Sequence, residues 1–281
     1  MLPSDFDLAD FVTRVLAEDL GSGGDVTSSA CIDESARFRA EMNCREPIAV
    51  AGIEIAEAFF RRLDADVGIE SFVRDGHRVE AGAILMRLEG NARAMLTAER
   101  SALNTLQHLS GIATMARRFV DAIAGTGAVL LDTRKTIPGL RVLEKYAARM
   151  GGAHNHRMRL DDGVLIKDNH VAVNGGVAEA VRRAKAAEAG LQIQVEVDQI
   201  AQIEPALAAG AERLLLDNMT NDELREAVRL VDGRVPLEAS GGVNLQTVRG
   251  IAETGVDFIS VGRITQSAPA VDIGLDFALI P

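Results

Sequence analysis

The chain of 281 residues is long enough for one large or two modest domains with a full apolar core. Its net charge of −11 argues against a nucleic-acid or anionic-membrane partner, and no apolar run approaches the roughly 20 residues of a membrane span. Cys31 and Cys44 have no metal-binding spacing and fit reduced thiols, and the opening MLPSDFDLADF lacks the basic-then-apolar order of a signal peptide. A soluble cytoplasmic protein is expected.

Phe6, Leu8, Phe11, Val12, Val15 and Leu16 recur at helical spacing, which predicts a helix over 4–20 with Ser4 as its N-cap. Gly21-Ser22-Gly23-Gly24 stops it. This glycine run follows a helix rather than a strand, so it reads as a loop and not as a nucleotide-binding turn. Between 36 and 88 the period shortens. Phe38–Met42, Ile48–Gly52, Ile69–Val73 and Ile84–Leu88 predict strands, with turns at Asp75-Gly76 and Ala81-Gly82 and a helix over Ile53–Leu63. DGHRVEAGAIL resembles the hairpin of swinging-arm carrier domains, but no lysine precedes Lys135 to carry biotin or lipoate. Asn91–Leu109 and Ile112–Ile123 read as consecutive helices broken at Ser110-Gly111, and Arg100 reads as a solvated helix charge.

After Gly127 short apolar runs alternate with helical ones. Strands are expected at Val129–Leu131, Val164–Ile166, Ile193–Val197, Arg213–Leu216, Pro236–Ala239 and Phe258–Val261. Helices are expected at 137–149, 177–189, 200–209, 222–230 and 245–253, several followed by a glycine suited to a C-cap. Such β–α alternation predicts a parallel sheet, and this many units favours an α/β barrel. Each strand ends in polar residues. Arg134 and Lys135 follow the first strand and Lys167 the second, while Glu196 and Asp198 belong to the third. Asp217 and Asn218 follow the fourth, Ser240-Gly241-Gly242 the fifth, and Gly262 the sixth. In a barrel these termini converge on one face.

The chain holds four lysines, Lys135, Lys145, Lys167 and Lys185. Lys145 and Lys185 read as solvated helix charges. Lys135 and Lys167, just past strand ends, would join Arg134 and Arg157 in a pocket for several negative charges. Glu196 and Asp217 are oxygen donors suited to Mg²⁺ or to ribose hydroxyls, and the late glycine turns suit a phosphate. A ligand with a phosphate, a magnesium-bound group and further carboxylates would satisfy the whole set.

DTRKTIPGLRVLEKYAARMGGAHNHR, DGVLIKDNH, EVD, LLLDNM, LEASGGV and SVGRITQSAP together resemble the quinolinate phosphoribosyltransferase family, from about Glu18 through Phe277. The resemblance implies an N-terminal α/β sandwich domain over 1–111, an incomplete α/β barrel over 112–270, and a tail over 271–281 that packs back on the first domain. It implies an Mg²⁺-dependent enzyme that transfers phosphoribosyl from phosphoribosyl pyrophosphate to quinolinate with loss of CO₂, giving nicotinate mononucleotide. Thr133, Arg134, Lys135, His156, Arg157 and Lys167 would bind quinolinate. Glu196 and Asp217 would hold the ribose and the Mg²⁺, directly or indirectly, with Lys135 and Lys167 also catalytic. Ser240, Gly241, Gly242 and Gly262 would cradle the sugar phosphate. Arg100 would cross to the site of a partner subunit in a homodimer or a multiple of dimers. Arg263 and Gln266 depart from the family pattern, which commonly has a small residue and a histidine there. Three rivals stand beside this reading: a paralogue of the molybdenum-operon type, a nicotinate phosphoribosyltransferase, and a non-enzymatic metabolite binder.

Overall fold

A computed structural model describes residues 2–187 and 190–279. The chain divides into two compact units. One comprises Met1–Met115, Val142–Gly151 and Ala268–Pro281, the other Ala116–Arg141 and Gly152–Ser267. No described helix is long and apolar enough to cross a membrane.

The first unit begins with helix α1 (Leu8–Leu20), whose N-cap is Asp7 rather than Ser4. The Asp7 carboxylate accepts the Asp10 N–H at 2.9 Å, and a charged acceptor outcompetes an upstream hydroxyl for that role. A short helix α2 (Val26–Cys31), not foreseen from the sequence, is capped in the same way by Asp25. Strands β1 (Arg37–Cys44), β2 (Ile48–Ala49), β3 (Gly68–Ser71), β4 (Arg78–Val79) and β5 (Ile84–Asn91) follow, with helix α3 (Ile53–Leu63) between β2 and β3. Strand β12 (Ile273–Leu279) returns to pair antiparallel with β1, giving a sheet ordered β12-β1-β5-β3. Along β1, Ala40, Met42 and Cys44 point into the core, while Arg39 and Glu41 pair outside with Glu89 and Arg87. Phe11 of α1 meets Phe59 of α3 edge to face, with centroids 6.2 Å apart.

The two helices expected over 91–123 are one, α4 (Ala92–Ala122), 31 residues without a break. Ser110 and Gly111 do not end it because each has a long-range partner. The Ser110 hydroxyl accepts the Ala51 N–H at 3.1 Å, and Thr114 one turn on accepts the Ala49 N–H at 2.9 Å. These bonds stand in for a sheet partner and explain why β2 stops after two residues. Gly111 lets the Pro269 carbonyl approach so closely that a Cβ would lie 2.2 Å from it.

Helix α5 (Arg141–Met150) begins four residues later than the sequence suggested. Lys145, read as a solvated charge, is fully buried there. Leu143 through Ala148 are all buried, so this part of the helix has no solvent face for a lysine to occupy. The neighbouring Glu144 carboxylate, also buried, is 2.9 Å from His108 Nε2. Lys185, by contrast, is exposed.

The second unit is an open barrel. Its strands are β6 (Val129–Leu131), β7 (Val164–Ile166), β8 (Ile193–Val197), β9 (Arg213–Asp217), β10 (Leu237–Ser240) and β11 (Phe258–Ser260), all parallel and ordered β6-β11-β10-β9-β8-β7. The end strands β6 and β7 do not pair with each other among the described residues. Instead the segment before His156 runs along β6 through a parallel bridge between Leu131 and His154. The expected incomplete α/β barrel is therefore present.

Helices α7 (Val177–Ala186), α8 (Ile203–Ala209), α9 (Asn221–Val231) and α10 (Val248–Ala252) link the later strands. The helix expected over 177–189 ends at Ala186, and residues 188 and 189 lie outside the described part. A 3-10 turn (Ile200–Gln202) replaces the start of the helix expected at 200. Two short helices were missed, α6 (Asp168–Val173) and α11 (Arg263–Gln266). Both are too short for an apolar period to register.

Gly111→Ala tests the reading of α4. Helix propensity alone would stabilise the variant by about 1 kcal/mol. The clash with Pro269 predicts the opposite sign, a loss of roughly 1–3 kcal/mol in chemical denaturation.

Candidate active site

Strand alternation builds the site. Leu165 and Lys167, Leu215 and Asp217, Glu238 and Ser240, and Ser260 and Gly262 lie two apart along their strands or just past them, and with Glu196 they line one cavity of about 840 Å³ at the carboxyl ends of the barrel strands. Thr133, Arg134 and Lys135 join from the loop after β6, and His156 and Arg157 from the segment bridged to it.

Asp132, fully buried at the end of β6, organises the basic side. Its Oδ1 accepts the His156 N–H at 2.8 Å and its Oδ2 accepts the Asn155 amide at 2.6 Å. This ties the His156-Arg157 segment to the strand that carries Arg134. The Arg157 guanidinium donates to the Gly163 carbonyl at 2.8 Å. Burial, and then the like charge of Arg134, hold the Arg157 pKa below its ordinary value. Arg134 Nε is buried without a hydrogen-bond partner among the described residues. The Lys135 N–H donates to Thr133 Oγ1 at 3.0 Å, and its carbonyl accepts from Thr265 Oγ1 at 2.7 Å. Gly262 leaves room for the Lys135 stem, since a Cβ there would lie 2.8 Å from Lys135 Cδ.

The acidic side has the mirror problem. Burial, then the charge of Asp217, raise the Glu196 pKa, and Lys167 only partly offsets them. Asp217 is set by Asn218, which adopts a left-handed φ of 56°. The Asn218 amide donates to Asp217 Oδ2 at 2.6 Å, and its N–H donates to the Ser240 carbonyl at 2.8 Å. Gly241 (φ 93°) must be glycine, because a Cβ would sit 2.2 Å from Asn218 Oδ1. The turn that suits a phosphate thus also fixes a carboxylate.

Every barrel residue singled out in the sequence except Asp198 lines this cavity, together with Arg263 and Gln266. Arg100 does not. It is exposed on α4. Sequence reasoning missed Asp132, Asp168, Glu238 and Ser260. Glu238 had a readable signal: a carboxylate two residues before Ser240, inside an apolar strand, points to the same interior as the serine.

Basic, acidic and glycine-turn groups around one barrel mouth define an α/β-barrel enzyme for multiply anionic small molecules. Residues 25–110 match the profile of the quinolinate phosphoribosyl transferase N-terminal domain, and residues 112–276 that of its C-terminal domain. The chain belongs to the quinolinate phosphoribosyl transferase family. It is 44% identical to the nicotinate-nucleotide pyrophosphorylase [carboxylating] of Mycobacterium leprae, over 97% of this chain and 98% of that one. A Bacillus subtilis protein named as a probable enzyme of the same kind is 39% identical, over 97% of this chain and 94% of that one. The solved nicotinate-nucleotide pyrophosphorylase from Ehrlichia chaffeensis superposes with a TM-score of 0.94 at 40% identity, covering 98% of this chain and 100% of that one. Human nicotinic acid phosphoribosyltransferase, at 13% identity and a TM-score of 0.66, shares the fold alone.

Glu196→Gln tests the strain on the acidic side. A carboxyl whose pKa is raised by folding binds its proton more tightly in the native state, so it costs stability as pH rises above the ordinary value of 4.5. The glutamine variant without ligands should therefore melt higher than wild type at pH 7.5. The gap should close as pH falls toward 4.5. Calorimetric melting across that range checks both the sign and the trend.

Proposed function

We propose that this enzyme transfers the phosphoribosyl group of phosphoribosyl pyrophosphate to quinolinate and decarboxylates the product to nicotinate mononucleotide. The observation that carries this reading is a single cavity with crowded cations on one side and two crowded carboxylates on the other. Arg134, Lys135, Arg157 and Lys167 meet the charges of a pyridine dicarboxylate and the adjoining pyrophosphate. Ser240, Gly241, Gly242 and Gly262 receive the sugar phosphate, and Arg263 and Gln266 border that end. Gln266 can donate a hydrogen bond there but carries no charge. The bacterial and plant relatives are named for the same reaction.

In the first step the pyridine nitrogen forms a bond to the anomeric carbon as the bond to pyrophosphate breaks. Positive charge grows on the ribose, within reach of the carboxylates of Glu196 and Asp217. In the second step the carboxylate next to the ring nitrogen leaves as CO₂. Its electron pair stays on the ring carbon beside the pyridinium charge and is then protonated from solvent.

Mg²⁺ fits the donor set. No cluster of three or more His, Cys, Asp or Glu able to hold a metal occurs among the described residues, which speaks against a closed protein cage. Two oxygen donors, one with its pKa raised by burial and then by the other's charge, suit a cation that takes its remaining ligands from substrate and water. Glu196 and Asp217 would hold it. Bound there, it would offset the pyrophosphate charge and improve the leaving group.

A homodimer, or a multiple of one, is part of the proposal, with Arg100 completing the partner's site. The acidic composition and sparse cysteines favour a cytoplasmic setting.

The direct test is formation of nicotinate mononucleotide from quinolinate, phosphoribosyl pyrophosphate and Mg²⁺. Lys135→Ala and Lys167→Ala should each lower kcat/KM by roughly 100- to 1,000-fold while the protein stays folded. Near-native values in both would overturn the assignment of this cluster.

Subunit exchange tests the dimer. Arg100→Ala and Lys135→Ala proteins should each be nearly inactive alone. After mixing and exchange they should regain about a quarter of wild-type activity, because half of the dimers are mixed and each has one intact site. No recovery, with exchange confirmed by native mass spectrometry, would remove Arg100 from a shared site.

A further inference from the structure

Barrel interiors are filled mainly by branched apolar side chains. Here the layer beneath the cavity carries a polar cluster that the reaction outlined above leaves unused. Glu238, fully buried on β10, accepts from Arg213 of β9 at 2.7 Å and from the Gln194 amide of β8 at 2.8 Å. Both bonds reach Oε2. His156 Nε2 lies 3.5 Å from the same oxygen. Arg213 itself lies over the Phe258 ring, with Cζ 3.9 Å from its centroid, a contact that holds the guanidinium in place.

The other edge of the imidazole determines its state. His156 Nδ1 accepts the main-chain N–H of Arg157 at 2.7 Å. A nitrogen that accepts has a lone pair and carries no proton, so the proton of the ring is on Nε2 and faces Glu238. The groups around the ring come from four directions. They are Glu238 on β10, Arg213 on β9, Asp132 at the end of β6, and the charged neighbours Arg134 and Arg157. A second proton on Nδ1 would break the bond to Arg157. The bond is kept only when the ring carries its proton on Nε2 alone.

We propose that Glu238 is a positioning residue for anion binding: it holds His156 as the neutral Nε2–H tautomer, and the imidazole in turn fixes the Arg157 main chain so that its guanidinium faces the cavity. His156 then contributes orientation and no charge. The charges that meet the quinolinate carboxylates from this subunit are then those of Arg134, Lys135, Arg157 and Lys167. This inference rests on the reading of the pocket as a quinolinate site.

Three measurements on the full-length enzyme test it. In ¹⁵N-resolved NMR of the wild-type protein without ligands, the His156 ring should show one protonated nitrogen and one lone-pair nitrogen at pH 6.5–8, the signal being identified by its loss in His156→Gln. Two protonated nitrogens in that range would overturn the proposal. In steady-state kinetics, Glu238→Gln should raise the quinolinate KM about tenfold or more while changing kcat less, because a misaligned guanidinium weakens binding before it affects bond breaking. An unchanged KM would also overturn it. If Glu238→Gln does not fold, His156→Gln decides, since a glutamine keeps a neutral donor and cannot ionise. Its pH profile of kcat/KM should run parallel to that of wild type between pH 5.5 and 8, at whatever level, and the loss of an ionisation step would contradict a neutral ring. Wild-type enzyme that left quinolinate unreacted would instead sink the substrate reading, and the nitrogen signals would still decide the tautomer.

Discussion

Electrostatic strain within one cavity is the constraint from which the rest follows. Arg157 is pressed by burial and by Arg134 on one side, and Glu196 by burial and by Asp217 on the other. Asp162 offsets the first pair and Lys167 the second only in part, since both shifts keep their direction. A folded chain keeps such groups apart only if rigid elements hold them there. The parallel strands supply that rigidity, since each delivers one inward side chain at its end and fixes it by register with its neighbours. A ligand with anionic groups at one end and a cation-assisted, charge-building centre at the other relieves both strains at once.

Secondary contacts convert this layout into a site. Asp132 anchors the His156-Arg157 segment to β6. Asn218 accepts a strained backbone to orient Asp217, and Gly241 makes room for it. Gly262 clears a path for the Lys135 stem. Gly241 and Gly262, proposed above to receive the sugar phosphate, therefore also set the charged groups. Substitutions in these turns should affect both reactants.

Much of this was legible in the sequence because strand runs and their polar ends are local features. Val164–Ile166 and Ile193–Val197 were read with the bounds the structure gives, and Ile53–Leu63 as a helix likewise. Failures came where distant partners decide. Ser110-Gly111 looked like a break because the carbonyl of Pro269 and the N–H of Ala51, which make a glycine and a serine useful inside a helix, lie far away in sequence. Lys145 looked solvated because lysine usually is, yet α5 has no exposed face at that point. Glu238 was passed over because its neighbours on other strands appear only once the register is known. His156 was named only as a quinolinate ligand, whereas its surroundings are a main-chain N–H and a buried carboxylate. Arg100 shows the opposite limit, since pattern alone makes it an ordinary surface charge and only the family resemblance gives it a role.

One measurement bears most directly on the coupling of both reactants in this pocket. Quinolinate labelled in the carboxylate next to the ring nitrogen is incubated with the enzyme, phosphoribosyl pyrophosphate and Mg²⁺, and labelled CO₂ and pyrophosphate are followed together. A charge-divided site that holds both substrates predicts equimolar release of the two, with none of either when one substrate is omitted. Pyrophosphate released without CO₂, or no release of either from the complete mixture, would contradict it.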